Sequence, residues 1–232
     1  MRKFYLSFVI LAVLACVFVV YAKAIAVSHL TEMPEVEKTT ASESIIPTKG
    51  KILIVYFTSP ETDGVDTSSG ASRLVSNGKL YGNTEYVATL ISEETGGDLF
   101  QIKTVHAYPG AHKELIDAAK KEVESKARPK LATHIKNLAD YDVVFVGFPN
   151  WWYDMPMALY SFFDEYDFTG KTLIPFCTHG GSRFSQAEKT IASLEKGAKM
   201  QKGLAISRNN VNNSGESVSK WLRDMGMTSK SK

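Results

Sequence analysis

The chain has 232 residues, of which 44% are hydrophobic and 22% charged, so it is long and apolar enough for one ordinary domain with extra segments but too short for two full domains. Three of its 27 basic residues lie in the first 26 positions, which contain no acidic residue, and the other 24 basic and 25 acidic residues leave residues 27–232 with a net charge of −1. A nearly neutral body lacks the basic surface that nucleic acid requires, which excludes DNA and RNA as partners.

The first 26 residues predict an export signal peptide or an N-terminal membrane anchor. A basic start, Arg2-Lys3, precedes an apolar run from Phe4 to Ala22 that only Ser7 interrupts. The segment can be cleaved at a small-x-small site, remain in the bilayer as a tether, or carry a lipid on Cys16; cleavage is favoured over anchoring, and all three stay open. Each outcome places the folded part outside the cytoplasm, in the cell envelope or the extracellular space.

Residues 27–49 predict a flexible linker, because they are rich in Thr, Ser, Glu, Pro and Lys and show no hydrophobic period. A single folded domain is expected over 50–228, and its first element is a buried strand, Lys51–Thr58. A polar insertion over 59–82 follows this strand. Its length indicates either a functional loop or a small hairpin.

The rest of the domain alternates between helices and strands, with Asn83 expected to cap the first helix. The run Val143–Val146 is short, β-branched and apolar on both faces, which is typical of a strand in the middle of a parallel sheet. Strands that alternate with helices pair in parallel through right-handed crossovers, so the pattern predicts an α/β fold. The predicted helices are Thr84–Glu94, Ala111–Ala127, Met157–Phe163, Phe184–Leu194 and Gly215–Met225, and the later strands are Asp98–Val105, Val143–Val146, Lys171–Thr178 and Gly203–Ser207.

Three loops are expected at the carboxyl ends of the strands, where open α/β sheets bind their ligands. The first ends at Asn83-Thr84, a helix N-terminus whose N–H groups and dipole favour an anion such as phosphate. The second carries the consecutive aromatic residues Trp151–Tyr153, which can stack on a flat ring. The third, Thr178–Ser182, is poor in side chains and can offer backbone N–H groups to an acceptor edge. Together the loops favour a flat, heterocyclic, phosphorylated cofactor.

The chain from Gly50 to about Met225 resembles the flavodoxin family, in particular members with a long first loop, a Pro-x-Trp-Trp segment and a Thr-His-Gly-Gly-Ser loop. The resemblance implies an open, doubly wound, five-stranded parallel sheet of order 2-1-3-4-5 in a single domain, with FMN bound non-covalently at the switch point. It assigns the phosphate to Thr58, Ser59, Asn83 and Thr84, one side of the ring to Pro149, Asn150, Trp151, Trp152 and Tyr153, and the ring edge to Thr178, His179, Gly180, Gly181 and Ser182.

For function, the resemblance implies electron transfer, or flavin-dependent reduction of a quinone, a nitro compound or a redox partner protein. The insertion separates the two halves of the phosphate site, which departs from the family pattern. The near-neutral charge disfavours a carrier that is steered electrostatically to its partner and leaves room for a reductase. Two other classes stay open: a flavin-less exported binding module and, less favoured, an esterase-type hydrolase built on Ser182 without a Gly-x-Ser-x-Gly elbow.

The sequence also predicts the environments of the histidines and of the cysteine in the domain. His179 either hydrogen-bonds the flavin ring or is a solvent-facing loop histidine. His106, His112 and His134 lack paired metal-ligand spacing and are expected at the surface. Cys177 is expected to be a packed core residue.

Overall fold

The computed structural model describes residues 43–45, 52–62 and 73–227. The predicted signal or anchor over 1–26, the fate of Cys16, most of the predicted linker and both predicted domain boundaries lie outside the described residues. In the described part of the chain, no helix combines the length and the apolar character needed to span a membrane.

Strands and helices alternate along most of the described chain, which confirms the α/β class. Two short 3-10 helices, Leu138–Asp140 and Arg208–Asn213, complete the regular structure of these residues. The strands are β1 (Glu43–Ile45), β2 (Ile52–Phe57), β3 (Arg73–Ser76), β4 (Lys79–Gly82), β5 (Asp98–Ile102), β6 (Thr133–Ile135), β7 (Val143–Pro149), β8 (Thr172–His179), β9 (Lys199–Met200) and β10 (Leu204–Ser207), and the helices are α1 (Asn83–Thr95), α2 (His112–Ser125), α3 (Met157–Glu165), α4 (Ala187–Leu194) and α5 (Gly215–Asp224).

The central sheet contains five parallel strands in the spatial order β5-β2-β7-β8-β10. Numbered by their sequence order, these strands read 2-1-3-4-5, so the predicted order is confirmed. The two-residue strand β9 pairs with the beginning of β8. The order reverses direction between β2 and β7, and the loops that leave these two strands therefore diverge around a crevice at the carboxyl edge of the sheet.

Strand β7 is the buried centre of the sheet, as its apolar run predicts. Val144 and Val146 pack into a core on the side of α2, α3 and α4, whereas Phe145 packs into the core on the side of α1 and α5. All three side chains are at most 1% exposed. Alternate residues thus face opposite layers, and the strand that carries the aromatic loop is fixed from both sides.

The polar insertion contains a small hairpin, which was one of the two predicted alternatives. Strands β3 and β4 pair in antiparallel fashion, and the Asn77-Gly78 turn between them has φ values of 50° and 75°, the conformation of a type I′ hairpin turn. Helix α1 begins directly after β4, with Gly82 at the N-cap and Asn83 as its first residue. The prediction of Asn83 as the cap was therefore wrong by one residue. An added Cβ at Gly82 would lie 1.8 Å from the Thr58 hydroxyl oxygen, so the close approach of the first strand requires glycine at this position.

Part of the segment predicted as a linker is ordered into a strand. Glu43–Ile45 form β1, which pairs in parallel with Thr133–Ile135 of β6. These three residues form a separate two-stranded ladder and do not extend the central sheet.

Candidate functional site

A cleft of about 520 Å³ opens at the carboxyl edge of the sheet. Two of the three predicted loops line it, and the first half of α2 adds a wall that the sequence did not predict. The lining residues are His112, Leu115, Ile116, Ala119, Asn150, Trp151, Trp152, Tyr153, Gly180, Gly181 and Ser182. The aromatic loop and the glycine loop, which are about 30 positions apart in the sequence, thus meet in one cavity of the size expected for a small ligand.

The aromatic loop is a tight turn from Trp151 to Asp154. The Trp151 N–H donates to the Asp154 carbonyl at 2.9 Å, and the Asp154 N–H donates back to the Trp151 carbonyl at 3.1 Å. Trp152 and Tyr153 have φ values of 52° and 66°, so both central residues adopt the left-handed conformation of a type I′ turn. Such positions usually hold asparagine or glycine, and a side chain there costs about 1–3 kcal/mol, a strain that clusters at functional sites.

This turn separates the roles of the three aromatic residues. Trp151 is 4% exposed and makes edge-to-face contacts with Phe57 and Tyr108, at centroid distances of 5.4 and 5.2 Å. Trp152 is 44% exposed and Tyr153 is 69% exposed. Trp151 is therefore the floor of the cleft, and the turn projects the other two rings toward its mouth.

Trp151, at the floor of the cleft, carries a buried hydrogen-bond donor, its indole N–H. The Trp151 indole N–H has no hydrogen-bond partner among the described residues. The Trp152 indole N–H, in contrast, donates to the Ile116 carbonyl of α2 at 3.3 Å, which ties the turn to the opposite wall. An indole N–H without an acceptor is costly in the interior, and it can be satisfied by an acceptor atom of a ligand.

The glycine loop is held by its own histidine. His179 is 6% exposed, and its Nδ1 accepts the Gly181 N–H at 2.9 Å. Burial, with a smaller contribution from the positive charge of Arg183, lowers the pKa of His179, so the ring is neutral at pH 7 and can accept this bond. The alternative of a solvent-facing histidine was wrong. Because the Gly181 N–H donates to His179, it is not available to a ligand, in contrast to the expectation from the sequence.

Asn150 connects the aromatic loop to the glycine loop. Its side-chain amide donates to the Arg183 carbonyl at 2.7 Å, and its backbone N–H donates to the Thr178 carbonyl at 2.8 Å. Thr178 and His179 are buried behind these contacts and do not line the cleft. They position the glycine loop, and Gly180 and Ser182 present its surface to the cavity.

The predicted phosphate residues lie beside the cleft rather than in its lining. Thr58, Asn83 and Thr84 are 9%, 3% and 1% exposed, and Ser59 is half-buried. The hydroxyl oxygens of Thr84 and Thr178 are 2.8 Å apart, which joins the start of α1 to the end of β8. The first and third loops are therefore adjacent at this edge of the sheet, although the assignment of these residues to phosphate stays a prediction.

Charges at the start of α1 are partly compensated within the chain. The Glu85 carboxylate accepts the Gly82 N–H at 3.3 Å and pairs with the Lys79 ammonium at 3.6 Å. Burial in the first place, and the charge of Glu85 in the second, raise the pKa of Tyr56 to about 12. A second negative group bound here would thus need a further cation close by.

Helix α2 supplies a wall of the cleft that was not predicted from the sequence. His112 was expected at the surface, but it lines the cleft, and its Nδ1 lies 2.8 Å from the Glu61 carboxylate, which is fully buried. Leu115 and Ala119 are buried on the apolar side of the helix, and they form the deeper part of the same wall. The Glu61–His112 contact joins residues 51 positions apart, so no local pattern could reveal it.

A parallel sheet of order 2-1-3-4-5 with a ligand-sized cleft at its carboxyl edge defines the flavodoxin-like class of α/β protein. The model of the flavodoxin family (Flavodoxin_4) matches residues 72–225, and the chain belongs to this family.

Several solved structures are similar to this chain. The chain is similar to a candidate flavoprotein from Bacteroides uniformis, with 30% identity and a TM-score of 0.59 over 75% of this chain and 98% of the other. It is also similar to a candidate flavoprotein from Bacteroides eggerthii, with 24% identity and a TM-score of 0.59 over 77% and 99% of the two chains. A flavoprotein from Lactobacillus acidophilus, solved in complex with FMN, has 17% identity and a TM-score of 0.49 over 71% and 98%. No curated protein matches the sequence.

Proposed function

We propose that this protein binds FMN non-covalently and uses it for electron transfer, or for the reduction of a quinone-like, nitro-type or protein acceptor, outside the cytoplasm. The observation that carries the proposal is the convergence of the aromatic turn and the glycine loop on one cleft at the switch point of a flavodoxin-family sheet. When bound, FMN supplies the redox chemistry, and the protein binds and orients the ring and adjusts its potential.

The cleft suits the ring of FMN in size and in donor set. Its volume of about 520 Å³ exceeds what a three-ring heterocycle needs. Trp152 offers an exposed aromatic face, and Gly180 leaves the opposite loop without a side chain that would block a flat ligand. The Trp151 N–H, which has no acceptor within the described part of the chain, adds a donor for a ring oxygen or nitrogen. These features support ring binding more strongly than they support a flavin-less module.

The start of α1 suits the phosphate, because a helix N-terminus concentrates N–H groups and a positive dipole. Its N-cap, Gly82, has no side chain to occupy those N–H groups, and the Thr58 hydroxyl lies directly beside it. The burial of Thr84 and its contact with Thr178 leave the backbone rather than that hydroxyl as the main donor.

The hairpin also brings a cation to the same place. Arg73 pairs with Gly82, and directly opposed residues of an antiparallel pair point to the same face. The Thr58 hydroxyl lies on the Cβ side of Gly82, so Arg73 and Thr58 share one side of the hairpin. Lys79 is engaged with Glu85, whereas Arg73 is exposed and can compensate a phosphate.

Replacing Arg73 with alanine should therefore weaken FMN binding about 2- to 5-fold, the effect of losing one solvent-screened charge contact. Binding of riboflavin, which lacks the phosphate, should not change. Parallel fluorescence titrations with both flavins measure the difference. The matched control is Arg223→Ala, which removes the same charge from the exposed last turn of α5. Equal losses for both flavins, or no loss for FMN, would show that Arg73 does not contact the phosphate.

An absorption spectrum of the purified full chain tests the proposed function. We expect a yellow protein with flavin bands, or strong quenching of the fluorescence of added FMN. A colourless protein that leaves FMN fluorescence unchanged would instead support a binding module, and hydrolysis of simple esters abolished by Ser182→Ala would support the hydrolase. Cell fractionation tests the location, and recovery in the cytoplasmic fraction alone would contradict export.

A further inference from the structure

We propose that Asp154 is a positioning residue that holds the aromatic loop and the glycine loop in the geometry that receives the flavin ring, so that its contacts determine flavin affinity. The inference rests on the proposed function, since it concerns the site where the flavin would bind. The turn is strained, because Trp152 and Tyr153 are bulky residues in left-handed conformations. Such conformations persist only where surrounding contacts hold the backbone in place.

Asp154 is the last residue of that turn and closes it in two ways. Its backbone exchanges both hydrogen bonds with Trp151. Its carboxylate Oδ1 accepts the N–H of Met155 at 2.8 Å, which fixes the direction in which the chain leaves the turn. The residue is 8% exposed, so these bonds are made away from competing water.

The second carboxylate oxygen joins the turn to two other elements. Oδ2 of Asp154 accepts the hydroxyl of Tyr160 in α3 at 2.7 Å and the side-chain amide of Gln186 at 3.1 Å. Gln186 lies in the segment that joins the glycine loop to α4, immediately before this helix, and its backbone N–H also donates to the Tyr153 carbonyl at 3.5 Å. One carboxylate therefore ties the aromatic wall to the glycine loop and anchors both to a core helix.

Tyr160, the partner of Asp154 in α3, is suited to act as a permanent hydrogen-bond donor. Burial first, and then the hydrogen bond and negative charge of Asp154, raise the pKa of Tyr160 to about 12, so its hydroxyl stays protonated and donates throughout the physiological range. The guanidinium of Arg128 lies 4.9 Å from the centre of the Tyr160 ring and covers its outer face. These contacts surround the turn, and Asp154, Tyr160 and Gln186 were not assigned to the site from the sequence.

A second buried tyrosine–aspartate pair provides a matched control. The Tyr141 hydroxyl donates to Asp98 Oδ2 at 2.9 Å. Tyr141 lies just before β7 and Asp98 begins β5, so this pair belongs to the opposite edge of the sheet from the cleft. Tyr160→Phe and Tyr141→Phe remove the same chemical group from the same kind of bond, but only the first touches the cleft walls.

The experiment compares Tyr160→Phe, Gln186→Leu, Asp154→Asn and Tyr141→Phe in the full chain. Three quantities are measured: FMN affinity by fluorescence titration, melting temperature, and acrylamide quenching of tryptophan fluorescence without flavin. Quenching reports mainly on Trp152, because Trp151 and Trp221 are 4% and 9% exposed against its 44%.

We expect Tyr160→Phe to weaken FMN binding about tenfold, which corresponds to the loss of one charge-assisted hydrogen bond, and to increase acrylamide quenching. Gln186→Leu should act in the same direction, and Asp154→Asn should have the largest effect. Tyr141→Phe should lower the melting temperature by a similar amount and leave affinity and quenching unchanged. If Asp154→Asn does not fold, the FMN affinity and the quenching of Tyr160→Phe and Gln186→Leu test the proposal.

Two results would overturn the proposal: FMN affinity within twofold of the wild type in folded Tyr160→Phe and Gln186→Leu, or an equal loss of affinity in Tyr141→Phe. Failure of the proposed function looks different, because the wild type itself would then not bind FMN. In that case the quenching data still test whether Asp154 positions the turn, and unchanged quenching in all variants would reject that role.

Discussion

Replacing Trp152 with alanine should weaken FMN binding about 10- to 100-fold, because stacking of a heterocycle on an aromatic side chain contributes about 1–3 kcal/mol. The melting temperature should change little. Trp152 is 44% exposed, and its hydrogen bond to the Ile116 carbonyl lies at the surface. Alanine retains a Cβ, so the strain of the left-handed position stays as it is. Fluorescence titration with FMN and a thermal melt measure the two quantities.

The neighbouring tryptophan needs a different interpretation. Trp151→Ala removes a side chain that is 4% exposed and packed against Phe57 and Tyr108, and such a deletion costs about 3–5 kcal/mol of stability. Loss of binding in a Trp151 variant would therefore report on folding. The informative control is Trp152→Phe, which keeps a ring and should retain most of the affinity. If Trp152→Ala binds FMN as tightly as the wild type, the ring does not stack there.

The different exposure of Trp151 and Trp152 is a feature of the site that could not be predicted from the sequence. The apolar run Val143–Val146 predicted a central strand, and the structure confirms it as part of β7, which continues to Pro149. The sequence could not tell which ring faces the cleft, because that depends on the type of turn. A Trp-Tyr pair opposes the residue preferences of a type I′ turn, so no propensity rule would have chosen this conformation. Local rules are expected to fail in this way at functional sites.

Other parts of the site were hidden because they arise from contacts distant in sequence. Glu61 lies in the polar insertion and meets His112 only through the fold. The helix is capped at Gly82 and not at Asn83, and the Thr58 hydroxyl occupies the space where a side chain at position 82 would stand. The strand order, in contrast, followed from the family resemblance and not from periodicity, since alternating strands and helices fit several parallel arrangements.

Replacing Gly147 with alanine should lower the free energy of unfolding by about 2–3 kcal/mol, the cost of overpacking a filled core. An added Cβ would lie 2.0 Å from Cζ of Phe176, on the adjacent strand β8, where Gly147 and Phe176 are directly paired. The Phe176 side chain is fully buried, so it cannot move out of the way. Chemical denaturation measures the loss, and flavin affinity should fall with it because β7 leads directly into Asn150 and Trp151.

The collision between an added methyl group at position 147 and the Phe176 ring can be tested with a second substitution. Phe176→Leu shortens the side chain at the point of contact, so Gly147→Ala combined with Phe176→Leu should be less destabilised than the sum of the two single variants. Gly215→Ala is the matched control, because no atom of the described residues lies within 4 Å of an added Cβ at that glycine, which begins α5. It should be neutral or slightly stabilising, since alanine is the better helix former. Additive losses in the double variant would contradict the collision, and place the cost of the extra methyl in the backbone of β7.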